Sequence, residues 1–380
     1  MRPATILPSL LAAMACPAAE PGPSPESLDP NFAVVQPGSD LRWYDAQKLT
    51  LVGAGWPAGE LAKPYDRLPA RAEAVVRPPV WSLSRHSAGL EIRFRTDASE
   101  IGARWTVRHK NLAMDHMPAT GVSGLDLYVH QEAGWRWLGV GRPTQSPTNL
   151  VKLAGGIPAG GMRDYRVYLP LYNALDDLQI GVPAGARLQA APAPAARPVV
   201  VYGTSIVQGG CASRPGMVYS AILGRQLEVP MINLGFSGNG QAEPEVAALV
   251  AELDPAVFVL DPLPNLTPAQ VGERIEPFVA ALRARHPQTP IVLVGNITHQ
   301  HAQLGDPKRS GHYAKNSVLD PIAGKLMQGD PRIFYVKGET LLGDDGEATV
   351  DGTHATDLGF LRMAAAIRPT LEQALKAAGR

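Results

Sequence analysis

The sequence predicts an α/β fold: a C-terminal, doubly wound parallel sheet of five strands, preceded by an N-terminal β-sandwich of jelly-roll type. Three observations carry this. An Ala/Pro-rich stretch at 184–198, AGARLQAAPAPAARP, marks a change of texture along the chain. Before it, short segments alternate apolar and polar side chains, as half-buried strands do. After it, short unbroken apolar runs alternate with segments of helical periodicity, the pattern of a parallel sheet covered on both faces.

The domain organisation follows. Residues 1–15 read as an export signal: Arg2 is the lone positive residue, Ala4–Ala15 is almost wholly apolar, and Ala13-Met14-Ala15 offers small residues at a cleavage spacing. The stretch is too short to span a membrane, so a secreted or periplasmic chain is expected. Cys16 follows at once. A lipoprotein is the alternative, but Ala13 stands where a lipobox carries Leu, so simple secretion ranks first and a membrane partner is expected only if Cys16 is lipidated. Residues 16–30 are Pro-rich and polar, a disordered tether. The β domain is set at 31–188, the linker at 189–198 and the α/β domain at 199–380.

Composition narrows the partners. With 45% hydrophobic and 18% charged residues a core is easily filled. The 35 basic and 35 acidic residues cancel, which argues against a nucleic-acid partner. Cys16 and Cys211 are the only cysteines, so no disulfide framework or Cys-x-x-Cys zinc site can form. Cys211 is expected as a small buried residue near Ser205.

In the first half, strands are expected at 90–96, 103–108, 125–129, 135–140, 165–169 and 178–182, from alternation and from β-branched and aromatic content. Trp135 and Trp137 share one strand face. They are assigned to the core of the β domain, with stacking on sugar rings as the sharper alternative. In the second half the five strands are Val199–Tyr202, Pro230–Leu234, Val257–Leu260, Ile291–Val294 and Ile333–Val336. Helices are expected over Pro215–Leu227 and Glu245–Leu253, from Thr267 toward His286, and from Asp357 onward. Thr267-Pro268-Ala269-Gln270 reads as a capping box with proline at the first helical position. Pro277 is expected to kink its helix and Pro369 to bend the last one.

Parallel strands share a direction, so the loops that follow them collect along one edge, where ligands bind. The first strand ends in Gly203-Thr204-Ser205. The second ends in Gly235-Phe236-Ser237-Gly238-Asn239-Gly240 and the third in Asp261-Pro262-Leu263-Pro264-Asn265. Near the last lies Asp351-Gly352-Thr353-His354. A Ser, an Asp and a His on one edge are the parts of an acyl-transfer site, in which His takes the serine proton and Asp holds the imidazole. Backbone N–H groups and an Asn amide can hold an oxyanion.

These residues carry a family resemblance. The chain from Val199 resembles the SGNH (GDSL) hydrolases, named for Ser, Gly, Asn and His. Ser205 matches the nucleophile block, Gly238 the oxyanion glycine, Asn265 the oxyanion asparagine, and Asp351 with His354 the Asp-x-x-His block. The run 203–217, GTSIVQGGCASRPGM, is similar to a subgroup whose N-terminal β domain carries a Gly-x-Asp-Leu-Tyr motif, here Gly124-Leu125-Asp126-Leu127-Tyr128. The resemblance implies a serine esterase with Ser205, His354 and Asp351 as its triad and Ser205, Gly238 and Asn265 as its oxyanion hole. It implies no cofactor and no metal, and a small-molecule or glycan ester, acetyl above all, as substrate. The chain departs from the family at Thr204, where Asp is usual, and in the prolines around Asn265.

Other readings stand beside this one. A lipid-directed acylhydrolase would share the mechanism, and a non-catalytic carbohydrate-binding protein would share only the fold. His299-Gln300-His301 with His312 suggests a metal but lacks a carboxylate partner, so pocket lining or surface is the plainer reading. Asp261 is a second candidate acid or a loop anchor. Arg214 either lines the pocket or forms a structural ion pair. Gly203, Gly209 and Gly210 suggest a phosphate loop, but the Gly-Lys-Ser/Thr ending is missing.

Overall fold

A computed structural model describes residues 33–35, 40–299 and 311–380. The expected export signal and tether lie outside the described residues. Among the described residues no helix is long and apolar enough to cross a membrane.

The first half builds β1 (Ala33–Val35), β2 (Leu41–Asp45), β3 (Thr50–Val52), β4 (Glu91–Thr96), β5 (Glu100–Val107), β6 (Leu125–Gln131), β7 (Gly134–Gly141), β8 (Thr148–Gly155), β9 (Arg163–Tyr168), β10 (Leu175–Pro183) and β11 (Leu188–Ala190). One sheet runs β1-β2-β10-β5-β8. The other runs β11-β4-β9-β6-β7, with β3 beside β4. Pairings are antiparallel throughout. Trp105, Leu178 and Ile180 of one sheet share a core with Ile92, Phe94, Leu127 and Tyr165 of the other. This is a sandwich filled by the inward member of each alternating pair. All six expected strands of this half are present. The remaining five are short or less regularly patterned.

The second half builds β12 (Val199–Gly203), β13 (Met231–Gly235), β14 (Val257–Asp261), β15 (Ile291–Val294) and β16 (Ile333–Val336), in the order β13-β12-β14-β15-β16 and wholly parallel. Helices cover both faces. Helices Tyr219–Gln226 and Asp357–Ala377 pack Tyr219, Ile222, Phe360, Ile367 and Leu371 against Val199, Val201, Val257 and Val292. On the other face helices Pro244–Val250, Pro268–Arg285 and Gly311–Gly329 meet Val200, Tyr202, Phe258 and Leu293.

The start of the helix Pro268–Arg285 is as expected. Thr267 and Gln270 form a complete capping box. The helix runs unbroken from Pro268 to Arg285 through Pro277, which stands on its exposed side. The expected helix Pro215–Leu227 is instead a 3-10 turn, Pro215–Met217, an extended Val218, and then Tyr219–Gln226.

The halves are not separate bodies. Between β3 and β4 the chain leaves the sandwich, and Trp56, Leu68, Val80 and Trp81 complete the second core of the parallel sheet. Arg67, 2% exposed, lies inside this junction. Its NH1 donates to the carbonyls of Asn233 and Gly235 at 3.1 and 2.8 Å, its Nε to His86 O at 2.8 Å and its NH2 to Leu83 O at 2.7 Å. Burial lowers its pKa to about 9, with Tyr172 and Asp66 opposing, so it remains a cation at neutral pH.

A second tie uses the Gly-x-Asp-Leu-Tyr motif. Asp126, fully buried, accepts from Arg214 NH1 (2.7 Å), Gly216 N–H (2.8 Å) and Trp137 Nε1 (2.8 Å). Arg214 is therefore a structural ion pair across the halves. The two tryptophans lie outside the sandwich core: Trp137 is 49% exposed with Arg214 over its ring, and Arg166 stacks on Trp135 at 3.7 Å. Side-chain alternation places them on the outer face of the sheet, which the second half partly covers.

Replacing Arg67 by Met strips two buried carbonyls, Asn233 and Gly235, and two half-buried ones, Leu83 and His86, of their donor. Arg67→Met is expected to lower unfolding free energy by roughly 3 kcal/mol or more, read from urea midpoints. A shift within error would show that water or neighbouring groups replace the guanidinium.

Candidate functional site

β12 is buried along its whole length and delivers Ser205 to the carboxyl edge of the sheet. Thr204 ends the strand with extended backbone, and its side-chain oxygen accepts the Ile206 N–H at 3.3 Å, capping the short helix Ser205–Gln208. This accounts for threonine where the SGNH hydrolases usually carry aspartate: either side chain supplies the capping acceptor. Gly209, at φ +114, closes the helix.

Ser205 Oγ lies 2.9 Å from His354 Nε2, and His354 Nδ1 lies 2.7 Å from Asp351 Oδ2. The other Asp351 oxygen accepts the N–H groups of His354 (2.7 Å) and Thr353 (3.0 Å). Burial works against the Asp351 charge, but the His354 backbone and ring and the Thr353 N–H outweigh it and hold the carboxyl at about 2. An ionised Asp351 fixes the imidazole with Nδ1 as donor and Nε2 as acceptor toward Ser205. The structure thus brings these three predicted residues into one hydrogen-bonded line.

Gly238 and Asn265 arrive at the same edge from the strands flanking β12. Gly238, at φ +67, stands in the turn after β13. Gly240 packs so closely on the end of β12 that a Cβ there would lie 2.0 Å from Gly203 O. Asn265 Oδ1 accepts the Gly240 N–H at 3.2 Å, which binds the third strand's loop to the second's. Lys315 Nζ donates to Pro264 O at 2.9 Å and steadies the proline-rich segment.

A pocket of about 420 Å³ opens at His354, and the first half supplies much of its wall: Pro79, Leu83, His86, Met114, Met117 and Tyr172. A neighbouring cavity of about 410 Å³ shares His86, Met114 and Tyr172. A cavity of about 440 Å³ lies elsewhere, against the linker, and holds none of the predicted site residues. The wall residues escaped sequence reasoning because no motif or periodicity marks them; long-range folding alone brings them here.

His86 can be assigned a tautomer. Gln208 Oε1 accepts the Ser237 N–H at 2.9 Å, so its Nε2 is the donor, reaching Leu171 O at 3.0 Å and His86 Nδ1 at 3.1 Å. His86 therefore accepts at Nδ1 and carries its proton on Nε2. Burial first, then the charges of Arg67, His109 and Arg108, push it down to about 3, so it is neutral in use.

The remaining candidates fall outside the line. His299 Nδ1 lies 2.9 Å from Thr353 Oγ1, beside the Asp351 loop; His301 and the His312 side chain lie outside the described residues. Asp261 is 1% exposed, burial raises its carboxyl to about 8, and Tyr219 Oη donates to it at 3.0 Å, which makes it a buried anchor. Cys211 is buried, and burial followed by the Asp351 charge raises its thiol to about 12, so it is no thiolate nucleophile.

The His86 shift has a consequence for stability. Its folded pKa lies below its unfolded value, so its contribution is full above about 6.5 and is lost as pH falls toward 3, where only the unfolded chain takes up the proton. His86→Gln is expected to flatten the decline of the thermal midpoint between those pH values; parallel wild-type and variant curves would show that His86 is not held neutral.

Residues 196–372 match the GDSL-like lipase/acylhydrolase family, and residues 41–188 match the domain described as the GxDLY N-terminus of SGNH hydrolase-type esterases. No curated protein matches the chain. Among solved structures, a Bacteroides ovatus protein described as a GDSL-like lipase shares 34% identity over 88% of this chain and 98% of its own, with a TM-score of 0.82. A salicylyl-acyltransferase from a tetracycline biosynthetic pathway shares the fold at 19% identity (88% and 98% coverage, TM-score 0.67). So does a family two carbohydrate esterase from Clostridium thermocellum, at 15% identity (76% and 94% coverage, TM-score 0.55). The chain belongs to the GDSL-like lipase/acylhydrolase family of SGNH-type esterases.

Proposed function

We propose that this chain is an exported serine esterase that removes short acyl groups, acetyl first, from carbohydrates. The observation that carries the reading is the line Ser205 Oγ, His354 Nε2, Asp351 Oδ2, at 2.9 and 2.7 Å, beneath a 420 Å³ pocket. His354 takes the Ser205 proton as Oγ attacks the ester carbonyl. Ser205 N–H, Gly238 N–H and the Asn265 side-chain amide hold the oxyanion. His354 returns the proton to the leaving alcohol, and water then cleaves the acyl-enzyme with the same groups in the same roles. Asp351, ionised down to about pH 2, stabilises the imidazolium at each step.

The acyl preference rests on the family resemblance; the pocket offers the acyl group an apolar wall of Pro79, Leu83, Met114 and Met117. The carbohydrate preference rests on analogy: the fold is shared with a carbohydrate esterase solved in complex with cellohexaose and with an acetyl xylan esterase from Butyrivibrio proteoclasticus. Export rests on the pattern of residues 1–15.

Ser205→Ala and His354→Ala are each expected to lower kcat on nitrophenyl acetate by on the order of a thousandfold or more. Equal turnover by wild type and Ser205→Ala would leave a carbohydrate-binding protein. Acetate is expected to be released from acetylated glycans, and nitrophenyl acetate to be preferred over octanoate; the opposite order would assign the chain to lipid substrates.

A further inference from the structure

His116, Cys211 and His354 each place one ligand atom, an imidazole nitrogen or the Sγ, within 4.8 Å of the others. The two rings meet edge to face with centroids 5.7 Å apart. His354 Nδ1 is engaged by Asp351, so Nε2 is the nitrogen with a lone pair to give. A metal bound there has a carboxylate behind the imidazole, the arrangement that fixes the ring and strengthens it as a ligand.

Cys211 adds an independent observation. It adopts φ +82 directly after two glycines, a left-handed conformation that costs a side-chain-bearing residue on the order of 1 kcal/mol. A third glycine would meet that geometry freely. The cysteine held there instead carries sulfur to the two imidazoles. Zinc–nitrogen and zinc–sulfur bonds of about 2.0 and 2.3 Å put tetrahedral ligand atoms about 3.5 Å apart. His116 is exposed in the 109–117 loop at the pocket, so its ring has room to close the remaining distance.

We propose that His116, Cys211 and His354 form an inhibitory zinc site, an N₂S set whose fourth position opens to the pocket. The inhibitory part rests on the reading of His354 as the base for Ser205. The Cys211 thiol loses its proton to solvent as sulfur bonds the ion. The His354 Nε2 lone pair goes to the metal and can no longer accept the Ser205 proton. Removing the ion restores both groups, so the enzyme would be silenced reversibly by zinc.

The test titrates Zn²⁺ against nitrophenyl acetate hydrolysis by the full chain, freed of metal with EDTA. Wild type is expected to lose activity with zinc and regain it with EDTA. Cys211→Ser is expected to keep the metal-free rate yet need at least on the order of tenfold more zinc, about 1.4 kcal/mol of binding. His116→Ala, compared with its own metal-free rate, should shift likewise. Zinc inhibition equal in all three proteins, or none in wild type, overturns the proposal. A second readout is independent of turnover. Co²⁺ added to Ser205→Ala should give a sulfur-to-cobalt charge-transfer band that disappears in the Ser205→Ala/Cys211→Ser double variant. Absence of the band in the first protein overturns the site. Its presence in a chain whose hydrolysis does not depend on Ser205 upholds the site and overturns the esterase reading instead.

Discussion

One guanidinium, that of Arg67, joins what would otherwise be two structures. It is buried, and its hydrogen bonds go to main-chain carbonyls. Two of those carbonyls, Asn233 and Gly235, end the strand that leads into the Gly238 turn. The other two, Leu83 and His86, belong to the segment that walls the pocket. The cation lies over the Phe236 ring at 5.1 Å, which adds a favourable face to a desolvated charge. Through one side chain the geometry of the pocket wall and that of the Gly238 turn become a single quantity. A buried cation satisfied by carbonyls is costly to disturb, because two of the carbonyls it leaves, those of Asn233 and Gly235, are themselves buried.

Asp126 does for the opposite flank what Arg67 does here. It fixes the loop after Ser205 through Arg214 and the Gly216 N–H, so the surroundings of Ser205 are held from the sandwich side as well. Between these two ties lie the residues that touch the pocket. The hydrogen-bonded line of Ser205, His354 and Asp351 comes from the second half and much of the wall from the first. Each half alone would present either chemistry without a pocket or a wall without chemistry.

This division explains what the sequence discloses and what it conceals. The strands at Val199, Val257 and Ile291 are legible because they are buried on both faces and read as unbroken apolar runs. Ser205, Asp351 and His354 are legible because strand direction alone collects their loops on one edge. Arg67, His86 and Tyr172 are not, since an arginine, a histidine and a tyrosine in irregular segments look like surface until a distant strand covers them. The helix Gly311–Gly329 escaped for a related reason. It contains Pro321 and interior glycine, and its buried positions, Asn316, Leu319 and Ala323, form a stripe only weakly apolar. Thr204 shows the reverse: an unexplained exchange in sequence becomes an ordinary helix cap once its backbone is seen.

The chain from Trp56 to Trp81 bears on how substrate enters. Enzymes assembled from two bodies on a linker often open and shut like a jaw. Here Trp56, Leu68, Val80 and Trp81 belong to the sheet's own hydrophobic layer. Swinging the sandwich away would expose them to water, at a cost on the order of 10 kcal/mol. Hinge opening of that size is excluded as a working motion. Access is therefore governed by the rim, where Met114 and His116 stand exposed, and the cleft is built before the ester arrives rather than folded around it.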